Sequence, residues 1–117
     1  MSRRLCFMLD LVDDAALIAE YEACHAPGAA PSAVIDDIGA TGFLDMEIWR
    51  TGNHCVMIAE VADDFPRARG AVAQKIVDRW EADMGRYQQP LPHAAPGEKW
   101  VGMTRIFALD EQTATRG

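Results

Sequence analysis

Tyr21 and His25 stand four residues apart in a stretch with helical spacing, so a phenol and an imidazole share one helix face, one turn apart. An imidazole exchanges protons near neutral pH and a phenol both donates and accepts hydrogen bonds, so the two could do general acid/base work on one small ligand. The same spacing also fits a structural role, with Tyr21 at the core edge and His25 against the negative end of a helix dipole. Trp80 and Met84 are a second pair at helical spacing, either a core stripe or an apolar platform. Asp10 interrupts an apolar strand, either as a solvated edge residue or as a carboxylate lining a pocket. Asp45 and Glu47 alternate with apolar neighbours and read as solvent-facing; His54 reads as a turn residue and His93 as a loop residue. The three histidines lie far apart, none with a second ligand at metal spacing, so the sequence gives a zinc site no support.

The elements that must position these residues follow from patterning. The run RLCFMLDLV, residues 4–12, predicts a strand, and Asp13 and Asp14 are good caps for a helix after it. In that helix Leu17, Ile18, Tyr21 and Cys24 recur at spacings of three and four. Pro27 and Gly28 stop it, and a short second helical piece carrying Val34, Ile35 and Ile38 ends near Gly39. FLDMEIWR and CVMIAEV are strand-like runs joined by TGNH, which predicts a β-hairpin. Simple alternation puts Phe43, Asp45, Glu47 and Trp49 on one face of the first run and Leu44, Met46 and Ile48 on the other. After Asp63, Asp64 and Pro66 another helix runs to about Tyr87, with Val72, Ile76, Trp80 and Met84 at intervals of four. A Pro-rich connector, QQPLPHAAPGEK, leads to a last strand, WVGMTRIFAL. The order strand, helix, strand, strand, helix, strand is that of an α+β, ferredoxin-like βαββαβ fold, an antiparallel sheet with its helices on one face. An uncovered sheet face with large residues calls for a partner, so a homodimer forming a dimeric α+β barrel is expected.

One domain is expected over residues 1–112, with a polar tail at 113–117. A chain of 117 residues is too short for two full cores, and with half its residues apolar it can fold without disulfides or metals. The 18 acidic residues against 11 basic ones give a formal charge of -7, with the basic residues scattered, so nucleic acid and anionic membrane are not expected partners. The apolar run after Arg3 and Arg4 is cut short by Asp10, and no other stretch could span a membrane. Cys6, Cys24 and Cys55 form no CxxC pair and cannot all be bridged, which suits a reducing compartment, so the expected location is cytoplasmic.

The pieces RLCFMLDL, EYEACHAPG, LDMEIW, RWEADM, QQPLPHAAPGEKWV and RIF, in this order, resemble the L-rhamnose mutarotase family, and more closely its L-fucose mutarotase branch. The resemblance runs from about Arg4 to Gln112, and the EY-x-x-x-H element and the QQPLP-to-GEKWV connector are its most specific parts. It implies a dimeric ferredoxin-like fold that interconverts the α and β anomers of a 6-deoxy-aldohexose monosaccharide without a cofactor. It implies His25 as the catalytic proton donor and Tyr21 and Trp80 as sugar contacts. Met46 takes the position of a tyrosine, and Glu81 that of a second tryptophan, in rhamnose-type members; these changes point away from rhamnose. A Trp-Pro-Glu stretch usual after the histidine is here Ala30, Pro31 and Ser32.

Mutarotation needs one acid for the ring oxygen and one base for the anomeric hydroxyl, so no metal or nicotinamide is required. Trp80 would offer a platform for the C–H face of the sugar, with Tyr21 and Asp10 bonding hydroxyls. The base is Asp10, Tyr21 or a bound water. The same fold also hosts cofactor-independent oxygenases and non-catalytic sugar-sensing modules, because fold alone does not decide function.

Overall fold

The computed structural model describes residues 2–114. In chain order the elements are β1 (Ser2–Leu11), α1 (Ala15–Cys24), α2 (Ser32–Thr41), β2 (Phe43–Thr51), β3 (His54–Ala62), α3 (Ala71–Gly85), β4 (Gln88–Gln89), β5 (Val101–Gly102) and α4 (Leu109–Ala114). The sheet order is β2-β3-β1-β4, with β5 also on β1, and each of these pairs is antiparallel. That is the ferredoxin-like arrangement, its fourth strand divided into the two short pieces β4 and β5.

The helices form where the capping and spacing signals stand. Asp14 caps α1, its Oδ1 accepting from the Leu17 amide at 2.9 Å. Leu17, Ile18, Tyr21 and Cys24 pack into or against a core cluster of Leu11, Cys55, Met84 and Tyr87. Helix α2 ends at Gly42, whose φ of +115° is a left-handed cap that only glycine takes without strain. The β2–β3 turn passes through Gly52 at φ +56°, which confirms the hairpin.

Register assigns the two sheet faces. Leu9 pairs with Cys55, and Phe7 with Met57. Side chains directly opposite share a face, so odd-numbered residues of β1 and β3 point to the helices. Leu9, Cys55, Ala59 and Val61 are at most 1% exposed.

Four expectations change. Phe43 does not side with Asp45, because a β-bulge between them shifts the register; it pairs with Val61 and joins Met46 and Ile48 on the helix side. The inner stripe of α3 is Ala73, Val77, Trp80 and Met84 rather than a strict repeat of four: Val72 is 76% exposed and Ile76 37%. Four residues turn 400° at 3.6 per turn, so a four-spaced line drifts off the buried face. The connector begins as strand, since Gln88 and Gln89 pair with Leu11 and Asp10. The last strand is two residues long; after Met103 donates to the Cys6 carbonyl, residues 104–108 have no strand neighbour among the described residues, and a strand without a neighbour has no ladder. Of the tail at 113–117, the first two positions close α4 and 115–117 lie outside the described residues.

Candidate active site

A cavity of about 480 Å³ opens between the helices and the helix-side face of the sheet. Four of the five site residues expected from sequence, Tyr21, His25, Met46 and Trp80, line it. The fifth, Asp10, does not. Its neighbours Leu9 and Leu11 point into the core, so strand alternation turns Asp10 to the opposite sheet face, where it accepts from or pairs with His54 Nδ1 at 2.7 Å. His54 is therefore the first residue of β3 and the partner of a carboxylate, not a bare turn residue.

At the end of α1 the rings of Tyr21 and His25 lie 4.4 Å apart, tilted by 40°. Trp80 meets the His25 ring edge-on at 5.7 Å. The Nδ1 atom of His25 is 2.7 Å from the Tyr21 backbone carbonyl, which only accepts, so Nδ1 carries a proton and donates it there. Nε2 is the nitrogen left to gain or lose a proton. Tyr21 itself is buried, 4% exposed, and burial pushes its hydroxyl up from 10.0 to about 12, despite a long bond of 3.5 Å from Gln88 Nε2. The phenol is neutral across the physiological range.

The rest of the wall adds groups that sequence reasoning missed. Gln88 on β4 and Trp100 just before β5 reach the cavity because both short strands dock on β1, a pairing no local pattern announces. Glu81, which the sequence already sets beside Trp80, lines the wall as well, and Lys99 ties it in place, donating to its backbone carbonyl at 2.7 Å. Asp37 of α2 is 5% exposed in its side chain and bonds Arg69. A signal for Asp37 existed: with Val34 and Thr41 it keeps spacings of three and four on the buried face of α2, a polar residue at an apolar position. Arg69, in the stretch before α3, carries no such signal. Among the described residues no three His, Cys, Asp or Glu side chains gather as a metal would require, and no helix is long and apolar enough to cross a membrane.

An acid/base imidazole, a neutral phenol and an indole around an apolar cavity on a ferredoxin-like sheet define a small-molecule site suited to proton transfer. A family model for L-rhamnose mutarotase matches residues 4–109, and the chain belongs to that family: it is a sugar mutarotase, an isomerase acting on carbohydrates. It is 43% identical to the L-fucose mutarotase of Xanthomonas campestris pv. campestris, over 97% of this chain and 94% of that protein. Its fold matches the crystal structure of an L-rhamnose mutarotase from Formosa agariphila with a TM-score of 0.64 at 18% identity, over 92% of this chain and 98% of that one.

Proposed function

We propose that this chain interconverts the α and β anomers of L-fucose by acid/base ring opening at His25. The observation that carries the assignment is the bond from His25 Nδ1 to the Tyr21 carbonyl, which holds the ring and leaves Nε2 as the proton-exchanging atom. Opening delivers a proton to the ring oxygen and removes one from the anomeric hydroxyl; the free aldehyde turns about one bond and the ring closes on its other face. His25 acts from its doubly protonated form: it gives the Nε2 proton to the ring oxygen, becomes neutral with Nδ1 still donating to the Tyr21 carbonyl, and takes the proton back when the ring closes. Of the groups considered for the base, Asp10 sits on the other sheet face and Tyr21 is held neutral, which leaves water; the Glu81 carboxylate on the cavity wall joins it as a candidate. Tyr21 then serves as a hydrogen-bonding contact. Trp80 stacks on the C–H face of the sugar, and Met46 and Ile48 offer apolar wall to the 6-deoxy methyl group.

L-fucose is preferred because the L-fucose mutarotase relative is 43% identical, and because Met46 and Glu81 replace rhamnose-type aromatics. Saturation-transfer NMR over L-fucose, L-rhamnose, L-galactose and D-arabinose tests the reading. Exchange of L-fucose far above its rate in buffer is the expected result; no acceleration of any of the four overturns it.

The working form is proposed to be a homodimer in the cytoplasm. Ile106, Phe107 and Leu109 are 93%, 61% and 70% exposed, beyond the point where the last strand runs out of neighbours. Trp49, on the open sheet face, is 62% exposed. A radius of gyration of 16.0 Å exceeds the roughly 13 Å of a compact chain this long, as an arm reaching for a second copy would give. Three free thiols suit a reducing compartment.

A further inference from the structure

The α2 side of the cavity holds a carboxylate and a guanidinium whose hydrogen-bonding capacity is only partly used. Asp37 is buried, with a side chain 5% exposed, and it lines the cavity. Its two oxygens share a single donor, Arg69 Nε, at 2.8 Å and 3.0 Å. An ionised carboxyl group has about four acceptor positions, so one shared donor leaves room for more. Arg69 also lines the cavity, with a side chain 30% exposed. An arginine that serves only as a structural tie commonly sets two parallel N–H groups against a carboxylate. Here Nε alone makes the contact, and among the described residues neither Nη group makes a hydrogen bond. A buried acceptor short of donors therefore stands beside a donor short of acceptors, on the wall of the cavity that also holds His25.

We propose that Asp37 and Arg69 form the element that selects the sugar, by binding two adjacent ring hydroxyls away from the anomeric carbon. This rests on the reading of the cavity as a mutarotase site. One hydroxyl donates to the free acceptor positions of Asp37, and the oxygen of its neighbour accepts from an Arg69 Nη group. The anomeric carbon then lies at His25, which α1 supplies, and the diol at α2 and the stretch before α3. A sugar with either hydroxyl inverted or missing leaves a buried charged group without its partner, and the site rejects it.

The experiment has two arms. In the first, exchange is measured by saturation-transfer NMR against sugar concentration for the wild type and Arg69→Gln, with folding checked by circular dichroism. The expected result is a KM for L-fucose raised about tenfold or more, as loss of a charge-assisted hydrogen bond gives, a smaller change in kcat, and an L-fucose to L-rhamnose ratio that falls. A folded variant with KM and ratio unchanged overturns the proposal. The second arm uses the wild-type protein alone, so it does not depend on the variant folding: the Arg69 Nε–H resonance, assigned by its through-bond correlation to the Arg69 side chain and backbone, is followed as L-fucose is added. Movement of that resonance with saturation supports the diol contact even without accelerated exchange, which would count against the mutarotase reading alone. A resonance that stays still in a wild type that does accelerate L-fucose exchange overturns the diol contact alone.

Discussion

His25 is held by Tyr21 twice: its Nδ1 lies 2.7 Å from the Tyr21 backbone carbonyl, and its ring lies 4.4 Å from the Tyr21 ring. One residue thus fixes both the tautomer and the plane of the imidazole. His25 is also the C-cap of α1, so the proposed acid sits at a structural position.

Replacing His25 by Ala is expected to slow anomer exchange by about 10²-fold or more, the lower range for a positioned acid. His25 as a residue is largely exposed to solvent, so thermal unfolding should move little. Exchange rate and melting temperature are to be measured on the same sample. A folded variant with the wild-type rate removes His25 from the mechanism.

Tyr21 gives a prediction in alkali. Its hydroxyl ionises at about 12 in the folded chain and near 10.0 when exposed, because burial disfavours the phenolate. Between those values the unfolded chain has lost a proton that the folded chain keeps, so stability falls as pH rises through 10 to 12. The slope from this one group approaches about 1.4 kcal/mol per pH unit. Burial raises the Cys55 thiol as well, which adds a fall in the same direction that starts at lower pH. Urea unfolding between pH 9 and 11 is expected to show a shallower decline for Tyr21→Phe than for wild type. Parallel declines would mean that the phenol is not desolvated.

Legibility in the sequence tracked how local the cause was. The Asp14 cap, the hairpin at Gly52 and the inner face of α1 depend on a few neighbouring residues, and each stands where spacing puts it. The side of the sheet that Phe43 takes depends on a bulge, which one extra residue creates without any mark in the apolar pattern. Asp10 was ambiguous on the strand by itself; the burial of both its neighbours decides its face, and that burial depends on elements packed from elsewhere in the chain. The short fourth strand has the same origin, because a run of strand-forming residues becomes a strand only against a partner. Tyr21, His25, Met46 and Trp80, which spacing and resemblance single out, line the cavity, whereas Gln88 and Arg69 enter the wall through long-range docking alone.

Gly42 links α2 to the cavity strand that follows. An alanine there meets a φ of +115° and puts its Cβ 3.2 Å from the Phe65 Cβ. Phe65 in turn packs edge-on against Phe43, with ring centroids 4.7 Å apart. Gly42→Ala is expected to cost about 1–2 kcal/mol or more in stability, from the backbone alone. Chemical denaturation checks it; a variant as stable as wild type would show that the αL turn relaxes freely.

Assembly is tested by mass. Sedimentation equilibrium at micromolar concentration is expected to give twice 12.9 kDa. Replacing Phe107 by Asp, on the exposed arm, is expected to shift the equilibrium toward single chains, since a charge in a buried apolar contact is costly. A wild type that sediments as a monomer ends the barrel model.

Specificity follows from how the cavity treats hydroxyl groups and the sugar ring. L-fucose and L-rhamnose differ in the configuration of ring hydroxyls, so a wall that pairs the hydroxyls of one leaves buried groups unpaired with the other. Each unpaired group costs about 1–3 kcal/mol, which is about 5- to 150-fold in kcat/KM. L-fucose is therefore expected to exchange at least fivefold faster than L-rhamnose at equal, subsaturating concentration. Trp80→Ala is expected to lower kcat/KM for both sugars by about five- to tenfold, because the indole supplies a platform for a ring C–H face rather than a contact to one hydroxyl. The ratio between the two sugars should then survive the loss of the indole, while the absolute rates fall. Equal rates for the two sugars in wild type would remove L-fucose as the preferred substrate, and a folded Trp80→Ala variant with unchanged kcat/KM for both sugars would take Trp80 out of the stacking role.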